Sequence, residues 1–254
     1  MRVVFFGTSH GYPEPHKKCS SIMIEAGEKR YIIDMGTDIT TDLIDRGLRP
    51  ECISAIFISH MHGDHYCGLA PFLYVCNWLY KTADFALYLP IDTNQFKNAV
   101  DSWIGLRSGD KAVRGYDYRR ISEGMIYDDG VLRVTAYRTG HCEESYALLL
   151  EAEGKRVLYT GDLSSKHGPE YDFPKSVLES NVDLLICEGA HFPATSYPPA
   201  GPWPLLRLSC PQGASRVSAY RPFIASCCGG CIHTAHKQHC QRIQTPRQRG
   251  QSVG

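Results

Sequence analysis

Short apolar runs rich in β-branched and aromatic residues recur along the first three-quarters of the chain, each closed by Gly, Pro, Asp, Asn or Ser. They predict strands at Arg2–Phe6, Ser21–Glu25, Arg30–Asp34, Ala55–Ser59, Phe85–Leu89, Val131–Tyr137, Tyr146–Glu151, Arg156–Tyr159 and Asp183–Cys187. Stretches with apolar residues three and four apart predict helices at Ile39–Arg46, Gly68–Lys81, Asn94–Ile104 and Pro174–Ser180. In the second of these, Leu69, Phe72, Leu73, Cys76, Leu79 and Tyr80 share one face. Pro71 falls in its first turn, where the missing donor does no harm. Ser21–Glu25 with Arg30–Asp34, and Tyr146–Glu151 with Arg156–Tyr159, are close enough in sequence to form hairpins. Strands followed by helices in this order predict a layered α/β protein.

The length of 254 residues suits one hydrophobic core with a small appendage. An apolar fraction of 43% with 21% charged residues excludes disordered and fibrous classes. No window approaches the roughly 18 uninterrupted apolar residues of a membrane-spanning helix. The apolar run Val3–Phe6 is too brief for the core of a secretory signal. The expectation is a cytoplasmic protein with no membrane segment. Its 11 cysteines then read as reduced thiols, because disulfide scaffolds are short chains that lack a core.

Charge divides the chain. All 27 acidic residues lie at or before Glu188, so residues 1–188 carry 20 basic groups and a net −7. The remaining 66 residues carry +7 and no acid. Texture changes at the same place, from alternating elements to Pro198-Pro199-Ala200-Gly201-Pro202 and Cys227-Cys228-Gly229-Gly230-Cys231, with no period lasting except at Arg216–Ala225. Residues 1–195 are therefore expected to form the domain, and 196–254 an atypical basic tail. Three readings of the tail stand open. It is a disordered basic segment for nucleic acid. It holds a small zinc site from Cys228, Cys231, His233, His236, His239 and Cys240, although its halves are closer than finger spacings allow. Or it is out of frame with the body from about Ala194 to Pro199, which abrupt loss of every acid fits best.

The chemistry concentrates in Ser59-His60-Met61-His62-Gly63-Asp64-His65, directly after a predicted strand. Extended backbone puts alternate side chains on one side, so His60 and His62 converge on one ion about 2.0–2.1 Å from each nitrogen. Gly63 is expected to turn the backbone sharply, leaving Asp64 and His65 to face a second position. Nitrogen and oxygen donors without a thiolate suit Zn, with Mn or Fe as alternatives. Cys67 and Cys142 sit beside candidate ligands and are read as packing residues.

The segment His60–His65 resembles the signature of the metallo-β-lactamase superfamily, and other motifs follow in that family's order. Asp34-Met35-Gly36 resembles the turn behind its metal site, Thr139-Gly140-His141 a later strand end, and Tyr159-Thr160-Gly161-Asp162 the motif whose Asp bridges two metals. Phe6-Gly7-Thr8-Ser9-His10-Gly11-Tyr12-Pro13, Cys19-Ser20-Ser21 and Asp183–Phe192 resemble the ribonuclease Z-like branch. The resemblance covers about residues 1–195. It implies a four-layer αββα sandwich of the metallo-β-lactamase type, with the C-terminal part incomplete.

Carried over residue by residue, the resemblance implies two divalent ions. His60, His62 and His141 would hold one, Asp64 and His65 the other, with Asp162 between them. Asp34 would orient an imidazole from behind, and Glu188 and His191 would line the pocket. The family's last His ligand has no counterpart between His191 and His233. The implied activity is that of a metallo-hydrolase using a metal-bound hydroxide, with Asp64 orienting it or passing a proton. An acidic body favours a small-molecule or short phosphodiester over a polynucleotide, which would call for basic surface. Two alternatives stand beside it: a metal-binding protein with an incomplete, weakly active site, and nucleic-acid binding through the tail.

Overall fold

Strands whose residues are apolar at every position must be covered on both faces, and that requirement shapes the molecule. The computed structural model describes residues 1–11, 15–103, 116–162, 182–187 and 223–226. Among them two six-stranded sheets lie face to face. The first has the order β1 (Arg2–Gly7), β2 (Ser21–Ala26), β3 (Lys29–Met35), β4 (Ile53–Phe57), β5 (Ala86–Leu89), β6 (Asp117–Arg120). The second runs from β7 (Gly124–Asp128) through β8 (Arg133–Arg138), β9 (Tyr146–Ala152), β10 (Lys155–Tyr159) and β11 (Leu184–Cys187) to β12 (Phe223–Ser226). Both predicted hairpins form, β2 with β3 and β9 with β10, each antiparallel.

The period of two sorts the side chains into separate layers. Ile22 and Ile24 of β2, Tyr31 and Ile33 of β3, and Phe57 of β4 face the second sheet and pack with Val134, Leu148, Leu150, Val157 and Tyr159. Their neighbours Met23, Ile32, Ile56 and Ile58 face the opposite way, onto Leu69, Phe72 and Leu73 of α3 (Leu69–Trp78) and Phe96 and Val100 of α4 (Thr93–Trp103). The outer face of the second sheet gathers Ala147, Leu149, Leu158 and Val182. The fold is the mixed α/β metallo-β-lactamase sandwich. The helix expected at Pro174–Ser180 lies outside the described residues.

Most of the predicted elements appear within two residues of their expected ends. The departures are instructive. β6 and β7 carry no strong apolar alternation and were not predicted; they are the edges of their sheets, where one side needs no cover. β12 pairs in parallel with β11 at the edge of the second sheet. It overlaps the end of the Arg216–Ala225 stretch at residues 223–225.

The β3 to β6 strands run parallel, so their C-terminal ends open on one edge, the usual place for a site in such sheets. At the opposite end one carboxylate joins the sheets. Asp129, in the turn between β7 and β8, accepts from Lys29 Nζ at 2.8 Å, Tyr31 Oη at 2.8 Å and Tyr127 Oη at 2.9 Å, and from the Val131 and Leu132 amides at 2.9 Å. Burial opposes its ionisation, but these donors outweigh burial and hold the carboxyl well below the usual range. A depressed folded value stabilises the fold above the unfolded pKa of about 4 and is lost as pH falls through the folded value. Asp129→Asn is therefore expected to cost about 2 kcal/mol at neutral pH and to flatten the loss of stability below pH ~4. Urea denaturation of both proteins at pH 7 and pH 3 checks this; an equal difference at both pH values contradicts it.

Candidate metal centre

The site forms where β3, β4 and β10 end. β4 stops at Phe57, and the chain continues extended through Ser59-His60-Met61-His62, with His62 at φ −81° and ψ 145° before α2 (Gly63–Tyr66). Extended backbone places His60 and His62 on one side, as expected, and His60 Nε2 lies 3.1 Å from His62 Nδ1. The loop after β8 brings His141 in, its Nε2 2.9 Å from the same His62 Nδ1. Asp162, just past β10, lies between: Oδ2 is 3.8 Å from His60 Nε2 and 3.7 Å from His141 Nε2, and Oδ1 is 3.2 Å from His65 Nε2. Asp64 Oδ2 stands 3.5 Å from His65 Nε2.

Two donor groups result, sharing Asp162: His60, His62, His141 and Asp162 in one, Asp64, His65 and Asp162 in the other, with ligand atoms of each group within 4.8 Å of one another. Atoms about 2.0–2.1 Å from a tetrahedral ion stand roughly 3.3 Å apart, so these separations fit a divalent ion in each group. The donor set is nitrogen and carboxylate oxygen, with no thiolate. Cys67 and Cys142, read as packing residues, belong to neither group; Cys142 is partly buried, whereas Cys67 is exposed.

Gly63 does not make the sharp turn expected of it. It is the first residue of α2 and takes no left-handed conformation; the strained backbone is at Asp34, with φ +55° in a fully buried residue. The reason is visible in its contacts. Asp34 accepts from Ser59 N at 2.7 Å, Ser59 Oγ at 2.8 Å, His65 Nδ1 at 2.6 Å and Tyr159 Oη at 2.5 Å. Four donors from three elements over-determine its position. Because Nδ1 of His65 is turned to Asp34, Nε2 faces Asp64 and Asp162. Ser59 and Tyr159 are the residues that sequence reasoning missed as parts of this arrangement. Tyr159 lies in a quoted motif, but its role depends on an approach across 125 positions.

Electrostatics set the pair of groups apart. Burial, reinforced by neighbouring His65, lowers His60 to about 3. Burial also opposes a charged His65, but Asp34 and hydrogen bonds to Asp162, Asp34 and Asp64 outweigh it and raise its pKa well above the ordinary value. Asp162 is lowered to about 2, because His65, then His60 and His141, overcome the penalty of burial. Asp64 is lowered mainly by His65, again against burial. The centre is thus a cluster of anionic oxygens and imidazoles gathered for positive charge. Glu188 and His191, expected to line the pocket, lie outside the described residues.

Fold and site together define a metallo-β-lactamase-fold protein of the ribonuclease Z-like kind. Human tRNase Z, short form, shares the fold with a TM-score of 0.55 at 23% identity, over 73% of this chain and 77% of that one. The chain belongs to the family described as Anti-Pycsar protein Apyc1, whose model matches residues 1–176. It is also similar to Ribonuclease Z of Methanococcus aeolicus, 28% identical over 160 residues, and to Ribonuclease BN of Cronobacter sakazakii, 30% identical over 158. Those matches take in 62% and 61% of this chain, and the chain spans about half the length of these relatives, 49% and 51%. No helix among the described residues is long and apolar enough to cross a membrane.

Proposed function

We propose that the chain is a metal-dependent hydrolase of a small or cyclic phosphodiester. The observation that carries this reading is the convergence of six side chains, from segments about 80 and 100 residues apart, into two donor groups joined at Asp162. His60, His62 and His141 would hold one divalent ion, Asp64 and His65 the other, with Zn the favoured metal. Bound there, two ions would supply Lewis acidity, acidifying water and stabilising charge at phosphorus.

The chain's own residues do the rest. Asp162 holds the two halves in register. Asp34 fixes the His65 ring so that its Nε2 stays turned to the site. Asp64, ionised at neutral pH and half-buried at the edge of the cluster, orients the attacking water and takes its proton. Gly11 borders the Asp64 carboxylate, with space for a Cβ 3.4 Å from Cγ, so the first loop walls one side of the site.

Substrate size follows from charge. Residues 1–188 carry −7, which repels a polyanion, whereas a small phosphodiester brings one charge to a site that its cations would neutralise. An RNA substrate is the second reading, favoured by the names of the two ribonuclease relatives. Full-length chain loaded with Zn or Mn decides between them. Hydrolysis of bis(4-nitrophenyl) phosphate and a cyclic mononucleotide, lost on chelation and little affected by 50–200 mM salt, supports the first reading. Strongly salt-sensitive cleavage of RNA with no small-substrate turnover replaces it with the second, and no turnover of either removes both.

A further inference from the structure

His141 is carried by the loop after β8, and the ladder beneath it ends at the Arg138–Tyr146 pair. What sets that loop is a buried hydroxyl. Ser145 Oγ lies 2.7 Å from Thr139 Oγ1, 3.2 Å from the carbonyl oxygens of Thr139 and Cys142, and accepts from Cys142 N at 3.3 Å. A serine hydroxyl has one proton and two acceptor sites, so these four neighbours more than fill its capacity, with the two carbonyl oxygens sharing its one proton. Thr139 N also donates to the Ser145 carbonyl at 2.9 Å. Ser145 is 2% exposed and Thr139 5%, so neither is replaced by water without cost.

The bonds fall where they matter for His141. Cys142 N belongs to the peptide that follows His141, and fixing that peptide fixes the Cα–Cβ direction of the ring. The next residue ties the loop to the opposite ligand: Tyr146 N donates to Ser59 O at 3.0 Å, immediately before His60. Two other ties are exposed. Arg120 Nη2 reaches Glu144 at 3.1 Å with 56% of its own side chain in solvent, and Arg138 meets the Glu143 carbonyl. Exposed ion pairs of this kind hold little. The buried hydroxyl does the holding.

We propose that Ser145, through Thr139 and the Cys142 peptide, is a positioning residue for His141, aiming its Nε2 at the ion shared with His60 and His62. The inference rests on the metal reading above. It assigns a role to a residue that touches no ligand atom and lies outside every motif noted in the sequence.

Zinc titration calorimetry on the full chain tests it without reference to turnover. The proteins are wild type, Ser145→Ala, Ser145→Thr, Thr139→Val and His141→Ala. Ser145→Ala and Thr139→Val are expected to weaken one zinc equivalent by roughly 10–100-fold, the range for residues that orient a ligand from behind, and to leave the other unchanged. Ser145→Thr, which keeps the hydroxyl, restores affinity toward wild type. A general loosening of the loop predicts the reverse for that variant, since it adds a methyl to a packed site. Should Ser145→Ala and Thr139→Val both bind zinc as wild type does while His141→Ala is weakened, the positioning role is overturned and the metal reading stands. If His141→Ala itself binds zinc unchanged, the metal reading falls and takes this inference with it.

Discussion

Asp162→Ala is expected to remove hydrolysis by at least the roughly 10²–10³-fold that follows loss of one transition-state donor, and to lower metal content as well. Among the described residues no other belongs to both donor groups. Its carboxylate reaches His60, His65 and His141 at 3.2–3.8 Å, so removing it takes a ligand atom from each position at once. The substitution also leaves three imidazoles facing one another. Metal analysis after gel filtration and turnover of bis(4-nitrophenyl) phosphate read both effects. Cys67→Ser, at an exposed thiol outside both groups, serves as the control and is expected to behave as wild type. An Asp162→Ala protein that keeps full metal content and turnover would separate the cluster from any chemistry.

The second large effect concerns the backbone behind the site. A Cβ on Gly36 would stand 1.7 Å from the Asp64 carbonyl oxygen, 2.4 Å from its carbon and 2.7 Å from Cys19 Cβ. Two of those atoms are main chain of α2, the helix that carries Asp64 and His65, so no rotamer change relieves the contact. Gly36 N is meanwhile tied to the Ser20 carbonyl at 2.8 Å, and Gly68 N to Met35 O at 2.8 Å, which prevents the turn from backing away. Gly36→Ala is expected to cost about 4 kcal/mol or more, a large part of the stability of an ordinary domain. The same substitution at Gly63 meets only the Cys67 sulfur at 3.2 Å, the end of a side chain that can turn, and is expected to cost under about 1 kcal/mol. Soluble yield and urea midpoints of the two variants make the comparison. Equal midpoints would show that the Asp34–Gly36 turn is not clamped against α2.

How much of this was legible in the sequence depends on the range of each interaction. β2, β3 and β9 were readable because an apolar residue at nearly every position forces cover on both faces, a local property. β6, with the sequence Asp-Tyr-Arg-Arg, was not, since its place comes from a ladder with β5 and not from its own side chains. The His60–His65 spacing was readable for the same local reason: alternation across an extended segment is geometry within six residues. His141 and Asp162 entered only through resemblance, because nothing nearby says which of 11 histidines comes back to the cluster. Ser59, Tyr159 and Ser145 were invisible, as their partners are set by strand pairing between distant segments. Gly63 shows the opposite error, a glycine credited with a turn when the strain had been placed on Asp34.

The most direct test is an anomalous-difference map at the zinc edge from crystals of the full chain grown with zinc. Two peaks are predicted, one among His60, His62, His141 and Asp162, the other among Asp64, His65 and Asp162. A map in which zinc avoids these side chains, or in which His141 or Asp162 lies away from His60, would contradict the account.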